Sequence, residues 1–488
     1  MVGTLPQRPR LSAALVVVAV VVGGVVIARV PRAGLAVVAF GLFVALTRLR
    51  PSTLLIALVG VTAIVPFGVQ NRFGIGGGTG SAGLLPSDAL LLAGLLRVAP
   101  ILLRKRFGNR LLFGTAVISV FVAIAGLQFV RGLSLGRNPS TVGAEFRILL
   151  GFATFLLAVP VVSDDRERGR LLRALPALGL ILAVWGLLQW GLTLTFSDAG
   201  DAGLREGVRL TTGGRGQIQG GLFAFPLAVI LGLAAFTSGH VQRARTRILL
   251  LAVVVLNGLC VLLTYERTFW VTTVVCCGWV IVKARGVQRA RVVFGALAGV
   301  ILVMVALSTF VPNELATARE RLLSLGQYGT DNSVRYRLTE SRYVWTEIAE
   351  HPLVGSGLGA SIFWGRPWEL VPPSSFTFAH NGYLWVAWKL GIPAALLLGI
   401  LLAFAISVRG PPNEERLFGS VRGGCKAGML SIVIASVTFP AFNQLSITPT
   451  LALLLALCLA PRVSVRTQRS SQERGGAGRS PSRMVASR

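Results

Sequence analysis

The sequence predicts an all-α, polytopic integral membrane protein with about 12 to 14 transmembrane helices. Composition is the first observation behind this prediction: 53% of the 488 residues are hydrophobic, 14% are charged, and the mean hydropathy is +0.71. These values exclude an ordinary soluble protein and a disordered chain. The second observation is that apolar runs recur along the chain at about the 17 to 25 residues that a helix needs to cross a bilayer.

Fourteen apolar runs are candidates for the transmembrane helices, of which the second, tenth and last are short. They lie near 11–28, 33–47, 52–69, 84–103, 111–129, 146–163, 170–195, 218–237, 247–264, 268–283, 291–311, 383–407, 418–438 and 446–460. The polar stretches between them are too short for a separate soluble catalytic domain. Any chemistry is therefore expected on one membrane domain, residues 1–461.

Arginine placement predicts which side each loop occupies, because Lys and Arg accumulate in short cytoplasmic loops. With the N-terminus inside, 31 of the 48 Lys and Arg residues fall on cytoplasmic segments, against 6 of the 19 Asp and Glu residues. Both termini are thus expected in the cytoplasm. The Ser-, Gly- and Arg-rich tail, 462–488, reads as a disordered extension that attracts anionic membrane lipids, an interpretation we favour over nucleic-acid binding.

One long segment, from about 312 to 381, is predicted to lie outside the cell. Its aromatic residues argue against disorder, and loops of this length are usually functional. N-capping residues at 331–333 and Pro352 bound a predicted interfacial helix over about 334–350. On a helical projection Val344, Ile348, Leu338 and Trp345 share an apolar arc, while Glu340, Glu347 and Glu350 take the far side.

Arg337 falls inside that apolar arc, and Arg335 and Arg342 flank it. An arginine aimed inward from an interfacial helix is a candidate ligand for an anion. The alternative is that its stem is buried and its guanidinium returns to water.

Three alternating glycines, Gly355, Gly357 and Gly359, follow the predicted helix. A dinucleotide-binding loop is excluded because no strand precedes them and the third glycine of that motif falls at Ala360. A tight turn that brings backbone amides near an anion or another helix is the favoured interpretation.

His380 lies where the outer segment re-enters the membrane, beside Asn381, and an imidazole there could exchange protons near neutral pH. Glu266 and Arg267 occupy a turn between two spans that is too tight to be a solvated loop, and Arg215 precedes another span on the same side. Ionisable groups near the membrane mark functional sites by default, although a Glu–Arg pair can also neutralise itself. No acidic cluster with Mg²⁺-ligand spacing accompanies them, so the sequence predicts no metal and no cofactor.

A longer pattern connects these residues. In order it comprises Arg337, Trp345, Pro352-Leu353-Val354-Gly355-x-Gly357-x-Gly359, His380-Asn381-x-Tyr383-Leu384 and Leu390-Gly391-Ile392-Pro393, with Arg267 as an outer arginine between two spans. This pattern resembles the signature region of the O-antigen ligase and O-antigen polymerase superfamily. The helix order before a single long outer loop is also similar across most of the chain.

The resemblance implies an inverting, metal-independent glycosyltransferase that moves a glycan from a polyprenyl-pyrophosphate donor to an acceptor saccharide or lipid hydroxyl on the outer face of the cytoplasmic membrane. It implies that Arg267 and a loop arginine hold the pyrophosphate, and that His380 acts on the hydroxyl. Spacing to the glycine turn favours Arg337, with Arg335 and Arg342 as alternates. A departure from the family pattern is Glu266, where a small residue is usual.

A rival hypothesis from another class is a transporter or flippase of lipid-linked saccharide, whose arginines would line a path through the membrane. Charges near the membrane centre are scarce, and the outer basic residues cluster at one depth, which favours the enzyme. Ligase and polymerase remain open alternatives.

Overall fold

The computed structural model describes residues 43–65, 85–192, 222–238, 243–284, 332–366, 371–410 and 416–461, together with a few isolated positions. Over these residues the chain is a bundle of α-helices with an added β-hairpin. The helices are α1 (Pro51–Ile64), α2 (Pro86–Arg104), α3 (Asn109–Ser134), α4 (Pro139–Leu150), α5 (Thr154–Ser163), α6 (Asp165–Gly191), α7 (Ala224–Thr237), α8 (Ala244–Leu263), α9 (Arg267–Lys283), α10 (Asn332–Glu350), α11 (Gly382–Leu390), α12 (Ile392–Ser407), α13 (Arg416–Ala435) and α14 (Thr448–Leu459). The strands are β1 (Ile362–Arg366) and β2 (Val371–Phe376).

Five helical segments within the described ranges are long and apolar enough to cross a membrane. They are α2, α3, the continuous pair α4–α5 (Pro139–Ser163), α6 and α8, and shorter apolar helices include α1, α7, α12 and α14. The prediction of an all-α polytopic membrane protein is therefore confirmed. The predicted span 11–28 and most of the spans 33–47 and 291–311 lie outside the described residues.

Helix α14 lies in the core of the bundle. Every residue from Thr448 to Leu459 except Thr450 is buried, and the helix packs against α1, α3, α5 and α13. A helix that is apolar on all sides is suited to such a position. The Thr448 hydroxyl is satisfied because it donates a 2.7 Å hydrogen bond to the Ile148 carbonyl.

The span predicted over 383–407 is interrupted, contrary to expectation. Helix α11 ends at Leu390, Gly391 adopts a φ of +92°, and α12 begins at Ile392 with Pro393 in its first turn. A Cβ on Gly391 would lie 2.2 Å from the Leu353 carbonyl oxygen. The break therefore lets the glycine turn after α10 approach the backbone closely, a contact that hydropathy cannot show.

The connection between the predicted spans 111–129 and 146–163 is also shorter than expected. Helix α3 continues to Ser134 and α4 starts at Pro139, capped by the Asn138 side chain, which accepts a 2.9 Å hydrogen bond from the Ser140 N–H. Proline in the first helical turn and asparagine before it are a common helix start. Only 135–138 remain between the two helices.

The hairpin was not predicted. Strands β1 and β2 pair antiparallel, with Ile362 opposite Phe376 and Phe363 opposite Ser375, and the register shifts between Trp364 and Arg366. The chain leaves β2 directly into Phe378 and His380. The hairpin thus delivers the histidine segment to the start of α11.

Contacts between distant segments occur at two ends of the bundle. At one end Ser52 Oγ donates to Glu167 (2.5 Å), Arg110 to the Arg409 carbonyl (2.9 Å), and Arg422 to the carbonyls of Cys458 and Ala460. At the other end α3 and α4 contact the segment that follows α10. Each group joins segments that the arginine count assigns to one side.

Candidate functional site

Helix α10 turns Glu340, Val344 and Ile348 toward the protein, and each is at most 1% exposed. Leu338 and Trp345, which the helical projection placed on the buried arc, are 59% and 57% exposed. The predicted phase was therefore wrong by part of a turn, and Glu340 lies on the inner side instead of the far side. A buried carboxylate is tolerated because it has a partner that apolar periodicity does not reveal.

That partner is His380. The Glu340 carboxylate accepts a 2.8 Å hydrogen bond from the His380 backbone N–H, and both its oxygens lie 3.1 Å from the ring nitrogen Nδ1. Glu340 was missed in the sequence. A signal was present, since Tyr336, Glu340, Val344 and Ile348 recur every four residues and so form one stripe of a helix.

Aromatic rings hold the imidazole from two directions. Tyr336 meets the ring edge-to-face at a centroid distance of 5.2 Å, and Phe378 does so at 5.3 Å. The His380 side chain nevertheless remains 15% exposed. The histidine is therefore fixed in place and partly exposed.

Asn381 acts as the N-cap of α11. Its side-chain oxygen accepts hydrogen bonds from the backbone N–H groups of Tyr383 (3.0 Å) and Leu384 (3.1 Å). The Gly382 N–H donates to the Ser436 carbonyl just after α13 (2.8 Å). The His-Asn pair thus combines a candidate reactive side chain with the helix start that positions it.

The turn between α8 and α9 also reaches the end of α13. Thr268, next to Arg267, forms a 3.1 Å hydroxyl–hydroxyl hydrogen bond with Thr438. Tyr265 in this turn is buried and has a φ of +54°, an uncommon conformation for a bulky residue that is often found at functional sites. The Arg267 turn and the His380 segment therefore meet on residues 436–438.

The candidate arginines differ in exposure. Arg267 and Arg337 are half-buried, whereas Arg335 and Arg342 are exposed. Arg337 lies one turn before Glu340 on α10, and its guanidinium forms no hydrogen bond or ion pair with another described residue. Glu266, beside Arg267, is half-buried, and Arg215 lies outside the described residues.

The amides of the glycine turn are occupied by protein acceptors. The Gly355 N–H donates to the His351 carbonyl (2.9 Å), and the Ser356 N–H donates to the Trp388 carbonyl (2.6 Å). The Gly357 N–H donates to the Lys389 carbonyl (3.1 Å), and the Gly359 N–H donates to the Glu145 carboxylate (2.7 Å). Of the two sequence interpretations, approach to another helix is the one seen. Gly355 and Gly357, with φ of +67° and +88°, support the site by fixing the turn on α11.

Side chains of α3 and the following loop bind the carbonyls of the same turn. Gln128 donates to the Val354 oxygen (2.7 Å), Arg131 to the Gly355 oxygen (2.7 Å), and Arg137 to the Leu358 oxygen (2.9 Å). Burial lowers the pKa of the Arg137 guanidinium from its ordinary value, and the neighbouring Arg131 lowers it further. These residues therefore hold the turn.

A buried ion pair anchors the far end of α11. The Lys389 ammonium is 2.7 Å from a Glu145 oxygen, donates to the Ala360 carbonyl (2.6 Å) and lies 4.0 Å from the centre of the Trp388 ring. Lys389 is fully buried and Glu145 is 5% exposed. Local sequence patterns do not indicate this pair, because α4 and α11 are far apart along the chain.

Metal-ligand geometry is not found in the described part of the chain: no group of three or more His, Cys, Asp or Glu side chains there is placed to hold an ion. The groups available for chemistry are an accessible imidazole beside a buried carboxylate and half-buried arginines on neighbouring segments. Such a set is suited to proton transfer next to an anionic substrate.

A comparison with protein families gives residues 252–399 as a match to the O-antigen ligase family model. The matched segment, which is less than half of the chain, is similar to an O-antigen ligase domain. No curated protein matched the chain. The match supports an assignment to the O-antigen ligase and polymerase superfamily and, in general terms, to glycan ligation in surface polysaccharide biosynthesis by a multi-pass membrane protein.

The ligase match begins within α8 and ends within α12, so it contains Arg267, Arg337, Glu340 and His380. The groups that clamp the glycine turn from α3 and α4 lie outside it. The ligase segment therefore holds the candidate reactive groups, and the earlier helices supply part of their support.

Proposed function

We propose that this protein transfers a glycan from a polyprenyl-pyrophosphate donor to an acceptor hydroxyl on the outer face of the cytoplasmic membrane. In this proposal it is an inverting, metal-independent glycosyltransferase. The observation that carries the proposal is the accessible imidazole of His380, which Glu340 holds in place. Glu340 lies one helical turn from Arg337 on α10. Arg337 is half-buried and has no partner among the described residues.

In the proposed reaction His380 removes the proton from the acceptor hydroxyl as the oxygen attacks the anomeric carbon. The bond from that carbon to the pyrophosphate oxygen breaks on the opposite face, so the configuration inverts. Polyprenyl pyrophosphate leaves with the bonding electron pair. Arg267 and Arg337 stabilise the charge that develops on it, which is the largest demand of this transition state.

The exposure of the three arginines supports Arg337 over Arg335 and Arg342 as the phosphate ligand. Its position on the inner face of α10 is shared with Glu340, whereas Arg335 and Arg342 point to the outer surface of the helix. A half-buried guanidinium that no described residue pairs is available to bind an anion. The tight turn at Tyr265 gives Arg267 a fixed position on the neighbouring segment.

The sidedness is part of the proposal. It rests on the arginine count and is supported by the contacts at two ends of the bundle, which join segments of the same assigned side. Cysteines introduced at positions 324 and 470, both outside the described residues, would test it with an impermeant thiol reagent in intact cells. We expect labelling at 324 alone, and labelling at 470 would overturn the assignment.

The central experiment uses the purified protein in detergent with a polyprenyl-pyrophosphate glycan, an acceptor and EDTA. We expect turnover under these conditions, and a strict requirement for Mg²⁺ would contradict the arginine-only phosphate site. Replacing Arg267 or Arg337 by Ala should cost about 1.5 to 3 kcal/mol in donor binding, and more in the transition state. Replacing either arginine by Lys should not fully restore donor binding, because an ammonium cannot make a forked contact.

Arg335→Ala and Arg342→Ala are matched variants on the same helix. They should retain transfer if Arg337 is the phosphate ligand. Normal product from Arg337→Ala, with loss in one of the other two, would move the role to that residue.

A further inference from the structure

Glu340 is unusual among the acidic residues of α10. It is 1% exposed, whereas Glu347 is half-buried and Glu350 is exposed on the same helix. Taking a carboxylate out of water is costly and must be offset by strong partners. Within the described residues all of its hydrogen bonds go to one residue, His380.

The hydrogen bond from the His380 backbone and the contacts to its ring nitrogen have different consequences for the histidine. The bond to the His380 backbone N–H (2.8 Å) would tether the segment whatever the state of the ring. The contacts to Nδ1 (3.1 Å) are chemically specific, because an ionised carboxylate only accepts hydrogen bonds. Nδ1 must therefore carry a proton, and in the neutral imidazole the lone pair is then on Nε2.

We propose that Glu340 is a positioning residue that fixes His380 as the Nδ1–H tautomer and leaves Nε2 free to accept a proton. This inference rests on the proposed function, in which His380 is the general base. A carboxylate that orients an imidazole in this way is a known catalytic arrangement, and there the wrong tautomer is strongly inhibitory. Tyr336 and Phe378 complete the support by packing on the ring.

Replacing Glu340 by Gln separates this role from simple tethering. The Gln side chain keeps an oxygen that can accept from the His380 N–H, so the segment stays attached. Its amide NH₂ takes the place of the other oxygen, 3.1 Å from Nδ1, and as a donor it favours an unprotonated Nδ1, which moves the ring proton to Nε2. Glu350→Gln is the matched control, because it removes the same charge from an exposed position of the same helix.

The decisive measurement is ¹⁵N NMR of the full-length protein labelled with [¹⁵N]histidine, at a pH where the ring is neutral. The chain has three histidines, and the His380 signals are those missing from a His380→Ala sample. We expect a protonated Nδ1 and a bare Nε2 in wild type and in Glu350→Gln, and the opposite pattern in Glu340→Gln. A protonated Nε2 in the wild type would overturn the inference without any variant.

Turnover provides the second measurement. Glu340→Gln should lower kcat by about a hundred- to ten-thousand-fold with little change in the KM for the donor, while Glu350→Gln should match wild type. If the tautomer reverses but kcat is unchanged, His380 is not the base and the proposed function fails. If the tautomer does not reverse, the positioning role of Glu340 fails and the proposed function stands.

Discussion

The two ends of α11 carry the same kind of interaction, a basic side chain against a buried carboxylate, but they differ in what remains unbonded. At the C-terminal end the Lys389 ammonium has three partners, namely Glu145, the Ala360 carbonyl and the Trp388 ring. At the N-terminal end Glu340 engages only Nδ1 of the His380 ring. Nε2 has no hydrogen-bond partner within the described residues.

Burial of charge therefore does not by itself identify a reactive site. Lys389 and Glu145 are the more deeply buried pair, yet the ammonium already has an ion pair, a carbonyl acceptor and a ring beside it. A saturated pair holds segments together, and removing one member leaves an uncompensated charge. A pair with one accessible lone pair can take up a proton, so the N-terminal end is the place for chemistry.

The strongest effect is expected from a substitution at the N-terminal end. His380→Ala should lower the rate of glycan transfer by about a hundred- to ten-thousand-fold, because a general base is lost. Its unfolding midpoint should also fall, because Glu340 keeps only the backbone N–H of residue 380 as a partner, but the folded fraction should still bind the donor. His351→Ala is the control, since His351 is exposed at the end of α10. Turnover by His380→Ala close to the wild-type rate would remove this residue from the chemistry.

A substitution at the C-terminal end should act on stability instead. Lys389→Met should lower the free energy of unfolding by about 3 to 5 kcal/mol, because the Glu145 carboxylate is left buried without a counterion. The double variant Glu145→Gln, Lys389→Met should recover much of the loss, since no charge stays unpaired. Denaturant unfolding in one detergent provides the measurement. A double variant no more stable than Lys389→Met alone would contradict this account.

The contrast between the two ends also shows how far the sequence could predict the site. Hydropathy and arginine placement predicted the helical membrane fold, and motif spacing singled out His380 and Arg337. Periodicity alone misplaced Glu340, because the rule that charges face water fails where a specific partner compensates burial. Glu145 could not be paired with Lys389 from local patterns, and the hairpin before His380 depends on contacts with α10.

The mildest effect is expected at Gly136, whose backbone conformation is nearly equal to that of Gly355. Gly355 has a φ of +67° and Gly136 a φ of +69°, so alanine at either position incurs a left-handed strain of about 1 to 2 kcal/mol. A Cβ added to Gly136 would have no atom within 4 Å, whereas a Cβ added to Gly355 would meet the Gly391 nitrogen at 2.5 Å.

Gly136→Ala should therefore show only the strain, and Gly355→Ala should lose more, because the turn must move away from the end of α11. The measurement is the unfolding midpoint of each variant in the same detergent, followed by turnover of the folded fraction. We expect Gly355→Ala to lose transfer activity as well, since the turn and His380 are attached to opposite ends of one short helix. Equal destabilisation by the two substitutions would mean that the close approach of the turn to α11 contributes nothing, and the anchoring role of the C-terminal end would have to be abandoned.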